Sequence, residues 1–144
     1  SADTPEFRAI VAASLPFTDV LFLNEVEAAR ATGIAIPEAG DRDALLAAAT
    51  ALRSAGAGQV VIHTPDLAVW LTDTPVWREA LRVPPEAVVS PVGAGDAFCA
   101  GCLYGLHEGW PPEASLALGH RAAAASLSGA TASDGIPPLA RLLA

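Results

Sequence analysis

Glu86-Ala87-Val88-Val89-Ser90-Pro91-Val92-Gly93-Ala94-Gly95-Asp96-Ala97-Phe98 packs a strand signal, a turn and a helix start into one run. Residues 86–92 read as a short apolar strand ended by a proline, and Ala97 to His107 read as a helix. Two glycines stand at the strand-to-helix turn. Glycine lets backbone N–H groups come close to an anion, and a helix N-terminus adds positive dipole at the same place. Asp96, at the lip of that anion hole, suits a general base for a hydroxyl attacking a phosphoryl group. An acid in the first turn of a helix is also favourable by itself, by about 0.3–1 kcal/mol. That account leaves the two glycines before it unexplained.

The run Val89-Ser90-Pro91-Val92-Gly93-Ala94-Gly95-Asp96-Ala97-Phe98, followed by the small pair Ala100-Gly101, resembles the C-terminal signature of the PfkB (ribokinase-like) family of sugar and nucleoside kinases. A bare glycine pair is weak evidence. A second element strengthens it: Asn24-Glu25-Val26-Glu27, an N-x-x-E at the end of the apolar strand Val20-Leu21-Phe22-Leu23. Order, separation and strand–helix context are all similar to the family's. By resemblance the chain corresponds to roughly the C-terminal half of such a kinase and is covered almost end to end. The groups that grip the sugar, and the lid, then belong to an N-terminal half outside these residues.

The resemblance implies roles for particular residues. Asp96 is the catalytic base, and Gly93, Ala94 and Gly95 hold phosphate. Asn24 lies near the nucleotide phosphates, and Glu27 organises Mg²⁺ through water. His120, in Gly119-His120-Arg121-Ala122, stands where relatives often carry an asparagine beside the adenine. Thr64 falls near a loop that contacts the nucleotide. For Asn24 and Glu27 a purely local reading competes, because asparagine at an N-cap with glutamate three residues on is a capping box. For His120 the competing reading is a partly exposed helix histidine.

Composition narrows the classes. The chain has 144 residues, one domain's worth, and 52% of them are hydrophobic, as expected of a well-buried globular protein. No apolar run approaches the ~20 residues that span a bilayer. The polar start Ser1-Ala2-Asp3-Thr4-Pro5-Glu6 does not read as a signal peptide, so a cytoplasmic protein is expected. The absence of methionine fits a processed or partial chain. A net charge of −8 disfavours a nucleic-acid surface. All eight basic residues are arginines. Without lysine the chain has no Walker A lysine and no Schiff base. Phosphate binding must then rely on backbone amides, metal and arginine. Cys99 and Cys102 form a C-x-x-C one turn apart on a helix. They read as small core-facing residues of a reduced protein, since a zinc site needs two further ligands.

Along the chain, Thr4-Pro5-Glu6 opens a helix with Phe7, Ile10, Val11 and Leu15 on one face. A strand follows over Asp19 to Leu23, and Asn24 starts a short helix that closes at Gly33. Asp41 begins an alanine- and leucine-rich helix ending near Gly56. Gln59 to His63 is a strand, and a turn at Pro65-Asp66 leads into Leu67 to Thr72, antiparallel to its neighbour. A segment around Trp77 and Arg82 precedes the strand at Val88-Val89. Helices follow over Asp96–Glu108, Pro112–Leu127 and from Pro137. Gly101, Gly105 and Gly109 recur every four residues as a flat face for close packing. This alternation predicts an α/β protein, and the resemblance specifies a three-layer α/β/α sandwich with a mostly parallel sheet, the C-terminal portion of a ribokinase-like fold. Ligands of such sheets lie beyond the carboxyl ends of the strands, where both Asn24 and Gly93 fall.

Two departures from the family pattern matter. After Ile62 the loop reads His63-Thr64-Pro65-Asp66 with no glycine, which weakens the case for ATP as donor without removing it. Ser90-Pro91-Val92 replaces an aspartate and threonines that help some members bind a monovalent cation, which weakens the case for K⁺ activation. The expected function is ATP-dependent phosphotransfer, with Mg²⁺, to a hydroxyl of a sugar, sugar acid or nucleoside. Small molecules are the expected partners, with no nucleic acid, no membrane, and room for a homodimer. The rival is a non-catalytic nucleotide- or metabolite-binding module of the same fold. A Rossmann dinucleotide site is disfavoured, because Phe98 stands where a third glycine belongs.

Overall fold

The computed structural model describes residues 5–144. Thr4, expected as the first helix's N-cap, lies outside the described residues. The elements are α1 (Pro5–Ser14), a short 3₁₀ turn (Leu15–Phe17), β1 (Val20–Asn24), α2 (Glu25–Thr32), α3 (Arg42–Ser54), β2 (Gln59–His63), β3 (Leu67–Leu71), β4 (Pro75–Glu79), a second 3₁₀ turn (Pro85–Ala87), α4 (Ala94–His107), α5 (Pro112–Ser126) and α6 (Leu139–Leu143). The chain packs as two compact units, the first reaching to Trp77 and the second spanning Arg78–Ala144.

In the first unit the strand order is β1-β2-β3-β4, with β4 crossing the unit boundary. β1 and β2 are parallel, with Asn24 opposite His63, and β2 and β3 are antiparallel, with Ile62 opposite Val69. The sheet is therefore mixed, not mostly parallel. The cause is connection length. Residues 64–66 are too few for a crossover and can only return the chain as a hairpin, whereas β1 and β2 are joined through α2 and α3. Among the described residues β1 ends the strand order and pairs with β2 alone. Val60, Ile62, Leu67 and Val69 pack with Leu45, Ala48, Ala49 and Leu52 of α3 and with Ala28 of α2 in one core. The α1 face holds only in part: Leu15 is buried, but Ile10 is 66% exposed.

Caps set the helix limits as expected. The Asn24 side chain accepts from the Glu27 N–H at 2.8 Å, and Glu27 Oε2 accepts from the Asn24 N–H at 3.0 Å, a complete capping box. Gly33 closes α2, and Asp41 Oδ1 accepts from the Ala44 N–H at 3.0 Å to open α3.

The second unit is built on α4 against α5. A Cβ on Gly101 would lie 2.8 Å from the Gly119 Cα, and one on Gly105 would lie 2.8 Å from the Ser115 Cβ. One on Gly119 would lie 2.6 Å from Cys102 Sγ. Missing side chains thus let the helix backbones approach. Gly109 does not share this role: nothing lies within 4 Å, and its φ of 72° belongs to the reversal after α4. The expected strand at Val88-Val89 does not form. Pro84, Pro85 and Pro91 have no N–H to give a ladder, and the Val89 and Ser90 N–H groups both donate to one acceptor, the Leu127 carbonyl, at 2.7 and 3.3 Å. Conversely, Pro75–Glu79 is a strand that the sequence pattern conceals, with no apolar alternation.

The packing separates two glycines of one repeat. Gly101→Val should destabilise the chain by about 1–3 kcal/mol or more through overpacking. Gly109→Ala should cost only the backbone term of about 1–2 kcal/mol. Urea denaturation midpoints of the two variants should fall in that order.

Candidate active site

The Gly93 turn is shaped by backbone. Pro91 ends the preceding segment, and the Ser90 hydroxyl accepts from the Val92 N–H at 3.2 Å. Gly93 is the N-cap of α4 with φ 87° and ψ −3°, a left-handed conformation open to glycine and strained for other residues. Its carbonyl accepts the Ala97 N–H at 2.9 Å, which starts the helix. The Ala94 N–H makes a long turn bond of 3.3 Å to the Pro91 carbonyl. The Gly95 and Asp96 N–H groups belong to the first turn of α4, whose amides have no intrahelical partner and carry the positive end of the dipole. The Asp96 side chain is exposed beside them.

One turn on, burial and then the nearby Asp96 charge raise the Cys99 pKa. Burial, and to a lesser degree Cys99, push the Cys102 thiol further up. Both are free thiols, with Cys102 fully buried, so the pair is a packing element and not a thiolate centre. His120 is buried at 4% exposure, not partly exposed. Its Nε2–H donates to the Arg78 carbonyl at 3.2 Å, and its ring tilts against Phe98 with centroids 5.0 Å apart.

In the first unit, the parallel register carries Asn24 and His63 to the same end of the sheet, with Thr64 one residue beyond. Asn24 is half-buried and Glu27 exposed. With Oε2 on the Asn24 N–H, Glu27 keeps Oε1 for solvent-side contacts, which suits a cation that retains its waters. Among the described residues no cluster of three or more His, Cys, Asp or Glu could hold a metal alone. Thr64 is buried, and its hydroxyl donates to the Leu67 carbonyl at 3.1 Å while accepting the Asp66 and Leu67 N–H groups. That hydroxyl is saturated by the β2–β3 turn, so any contact with a ligand there would use backbone.

Several arginines have structural work. Arg8 donates to the Arg30 carbonyl at 2.8 Å, and Arg121 to the Leu142 carbonyl at 2.7 Å. Arg53 donates to the Gly58 carbonyl and pairs with Asp73 at 3.1 Å. The Arg42 guanidinium lies 5.0 Å from the Trp77 ring centroid. Sequence reasoning missed two participants in the Gly93 turn: the Leu127 carbonyl that takes the N–H groups ahead of it, and Ala132, whose side chain sits against Gly93. Neither leaves a motif, since one is a backbone group and the other an alanine in a loop.

The chain is similar to several kinases in sequence and in fold. A cytidine kinase of Thermococcus kodakarensis is 37% identical over 103 residues, 70% of this chain and 34% of that protein. A 5-dehydro-2-deoxygluconokinase of Geobacillus thermodenitrificans is 40% identical over 55 residues, 38% of this chain and 16% of that protein. Among solved structures, Arabidopsis thaliana ribokinase complexed with ribose and ATP superposes with a TM-score of 0.80 at 24% identity, covering 92% of this chain and 42% of that one. Aminoimidazole riboside kinase from Salmonella enterica, complexed with aminoimidazole riboside and an ATP analog, gives 0.77 at 22%, covering 96% and 46%. The fold is thus ribokinase-like, and the chain spans about a third or less of these curated relatives and under half of these structures. The sequence model of the pfkB family carbohydrate kinases matches residues 1–138, and the chain belongs to that family.

Proposed function

We propose that this chain supplies the phosphate-binding and catalytic-base part of an ATP-dependent kinase that phosphorylates a hydroxyl of a sugar, sugar acid or nucleoside. The observation that carries the proposal is the Gly93 turn: a left-handed glycine directs first-turn amides outward with an exposed carboxylate, Asp96, beside them. Family membership supports it, and so do relatives named as a cytidine kinase and a 5-dehydro-2-deoxygluconokinase. Structural neighbours complexed with ATP or an ATP analog support ATP as co-substrate despite the glycine-free loop at Thr64.

In this mechanism the Gly95 and Asp96 amides, with Gly93 and Ala94 shaping the turn, bind the transferred phosphate as charge gathers on its equatorial oxygens. The Asp96 carboxylate orients the acceptor hydroxyl and takes its proton late, as a loose transition state allows. By family resemblance Asn24 is assigned to the nucleotide phosphates and His120 to the adenine. Mg²⁺, when bound with the nucleotide, supplies charge neutralisation, and Glu27 would hold it through water with its Oε1. The Ser90 hydroxyl accepts from the Val92 N–H, and no K⁺ role is part of this proposal.

Three outcomes test this. In the intact kinase, Asp96→Asn should lower kcat by ~10²–10⁴-fold with nucleotide affinity kept within a few-fold. Near-wild-type kcat in steady-state kinetics would remove Asp96 as the base.

Gly95→Val should weaken Mg·ATP binding more than loss of any one arginine, because it obstructs approach to the amides. Titration calorimetry on both kinds of variant reads this directly, and a worse arginine variant would end the amide-cradle account.

The 144-residue chain alone should unfold cooperatively, bind Mg·ATP weakly and associate through the β1 edge, with no substrate-dependent ADP release. Sugar-dependent ADP production from the purified chain would mean that the acceptor site lies within these residues.

A further inference from the structure

The loop after α5 is closed on itself. A Cβ on Gly129 would lie 2.5 Å from the Gly135 nitrogen, and Gly135 in turn packs against the Ala125 carbonyl. The Gly129 N–H donates to Ser126 O at 3.0 Å, the Ile136 N–H to Ser133 O at 3.1 Å, and the Asp134 N–H to Thr131 Oγ1 at 3.3 Å. A loop tied in this way presents a defined surface, and Ala132 on it meets the phosphate turn. A Cβ on Gly93 would collide with the Ala132 Cβ and lie 2.6 Å from its Cα, so the two residues touch. The start of the same connection grips the turn's other flank, since the Leu127 carbonyl takes the Val89 and Ser90 N–H groups at 2.7 and 3.3 Å.

We propose that the loop over residues 128–135 is a positioning element of the phosphate-binding turn, with Ala132 the residue that seats Gly93. This rests on the proposed phosphate role of that turn. Ala132 touches no reactant. It acts through Gly93, whose height on the loop sets where the Gly95 and Asp96 N–H groups stand. The methyl group is the right size for contact: without it the turn loses its seat, and a branched side chain pushes it outward. Misplacing a positioning contact by ~1 Å can cost about a hundredfold in rate.

The test uses the intact kinase with Ala132→Gly, Ala132→Val, the near-isosteric Ala132→Ser, and Asp96→Asn in parallel. Mg·ATP affinity is read by titration calorimetry, kcat and acceptor KM by a coupled assay, and folding by the thermal midpoint. Ala132→Gly and Ala132→Val should each weaken Mg·ATP binding and lower kcat by about ten- to a hundredfold, with acceptor KM and melting nearly unchanged. Ala132→Ser should retain wild-type values. A role in stability alone would move the melting point and leave this split between KM and kcat absent. Mg·ATP affinity within about twofold of wild type in both Ala132→Gly and Ala132→Val would overturn the proposal. Should the valine variant fail to fold, the glycine variant decides. Wild-type kcat in Asp96→Asn would sink the base assignment alone, because the Mg·ATP titration reads the seat independently.

Discussion

A left-handed backbone at one residue, Gly93, is the constraint on which the site depends. With φ at 87° the chain reverses in a single step and α4 starts at once, its first carbonyl partner being Gly93 itself. A side chain there would carry roughly 1–2 kcal/mol of conformational strain and would also strike Ala132. The direction of the α4 amides therefore follows from backbone geometry that no other residue reproduces cheaply. From this start the helix runs along α5 through Gly101, Gly105 and Gly119, where absent side chains bring the two backbones together. Close packing keeps the dipole end of α4 in a defined place, and a dipole is useful to an anion only when it is held still.

The same economy suits the phosphate binding proposed for this acidic chain. With a net charge of −8 and no lysine, cationic side chains are scarce. Those at Arg8, Arg53 and Arg121 hold backbone carbonyls in place, and the one at Arg42 stacks on Trp77. A backbone amide, by contrast, carries no titratable charge and needs no counterion in the empty state. Such a hole depends on shape more than on charge, which is why neighbours that merely set its shape, such as Ala132 and the Leu127 carbonyl, gain importance.

Several residues proposed for the site also have structural roles. Asn24 and Glu27 form a reciprocal cap, worth about 1 kcal/mol to α2, yet Glu27 retains an oxygen facing outward. The capping and functional readings of this pair are thus compatible, because a carboxylate has more acceptor sites than one cap uses. Thr64 is the opposite case, its hydroxyl committed on all sides to the hairpin turn. His120 is tethered to the Arg78 carbonyl and pressed on Phe98, so its ring has a defined orientation inside the second unit.

Where the determinants are local, the amino-acid order alone was enough. The limits of α2 follow from Asn24, Glu27 and Gly33, the start of α3 from Asp41, and the β2–β3 hairpin from its short turn, because caps and turns are settled by residues within a few positions of each other. The family motif at Gly93–Asp96 was legible for the same reason. Strands are different, since they exist only through partners. Val88-Val89 has strand composition, but its N–H groups converge on one carbonyl at the end of α5. Pro75–Glu79 has poor strand composition, yet it takes a place in the sheet. Gly109 repeats the spacing of Gly101 and Gly105 and does another job, because α5 provides contacts for only two of the three. The burial of His120 and the seat at Ala132 lay beyond the sequence for one reason: each depends on a contact across tens of residues, which only the packed chain creates.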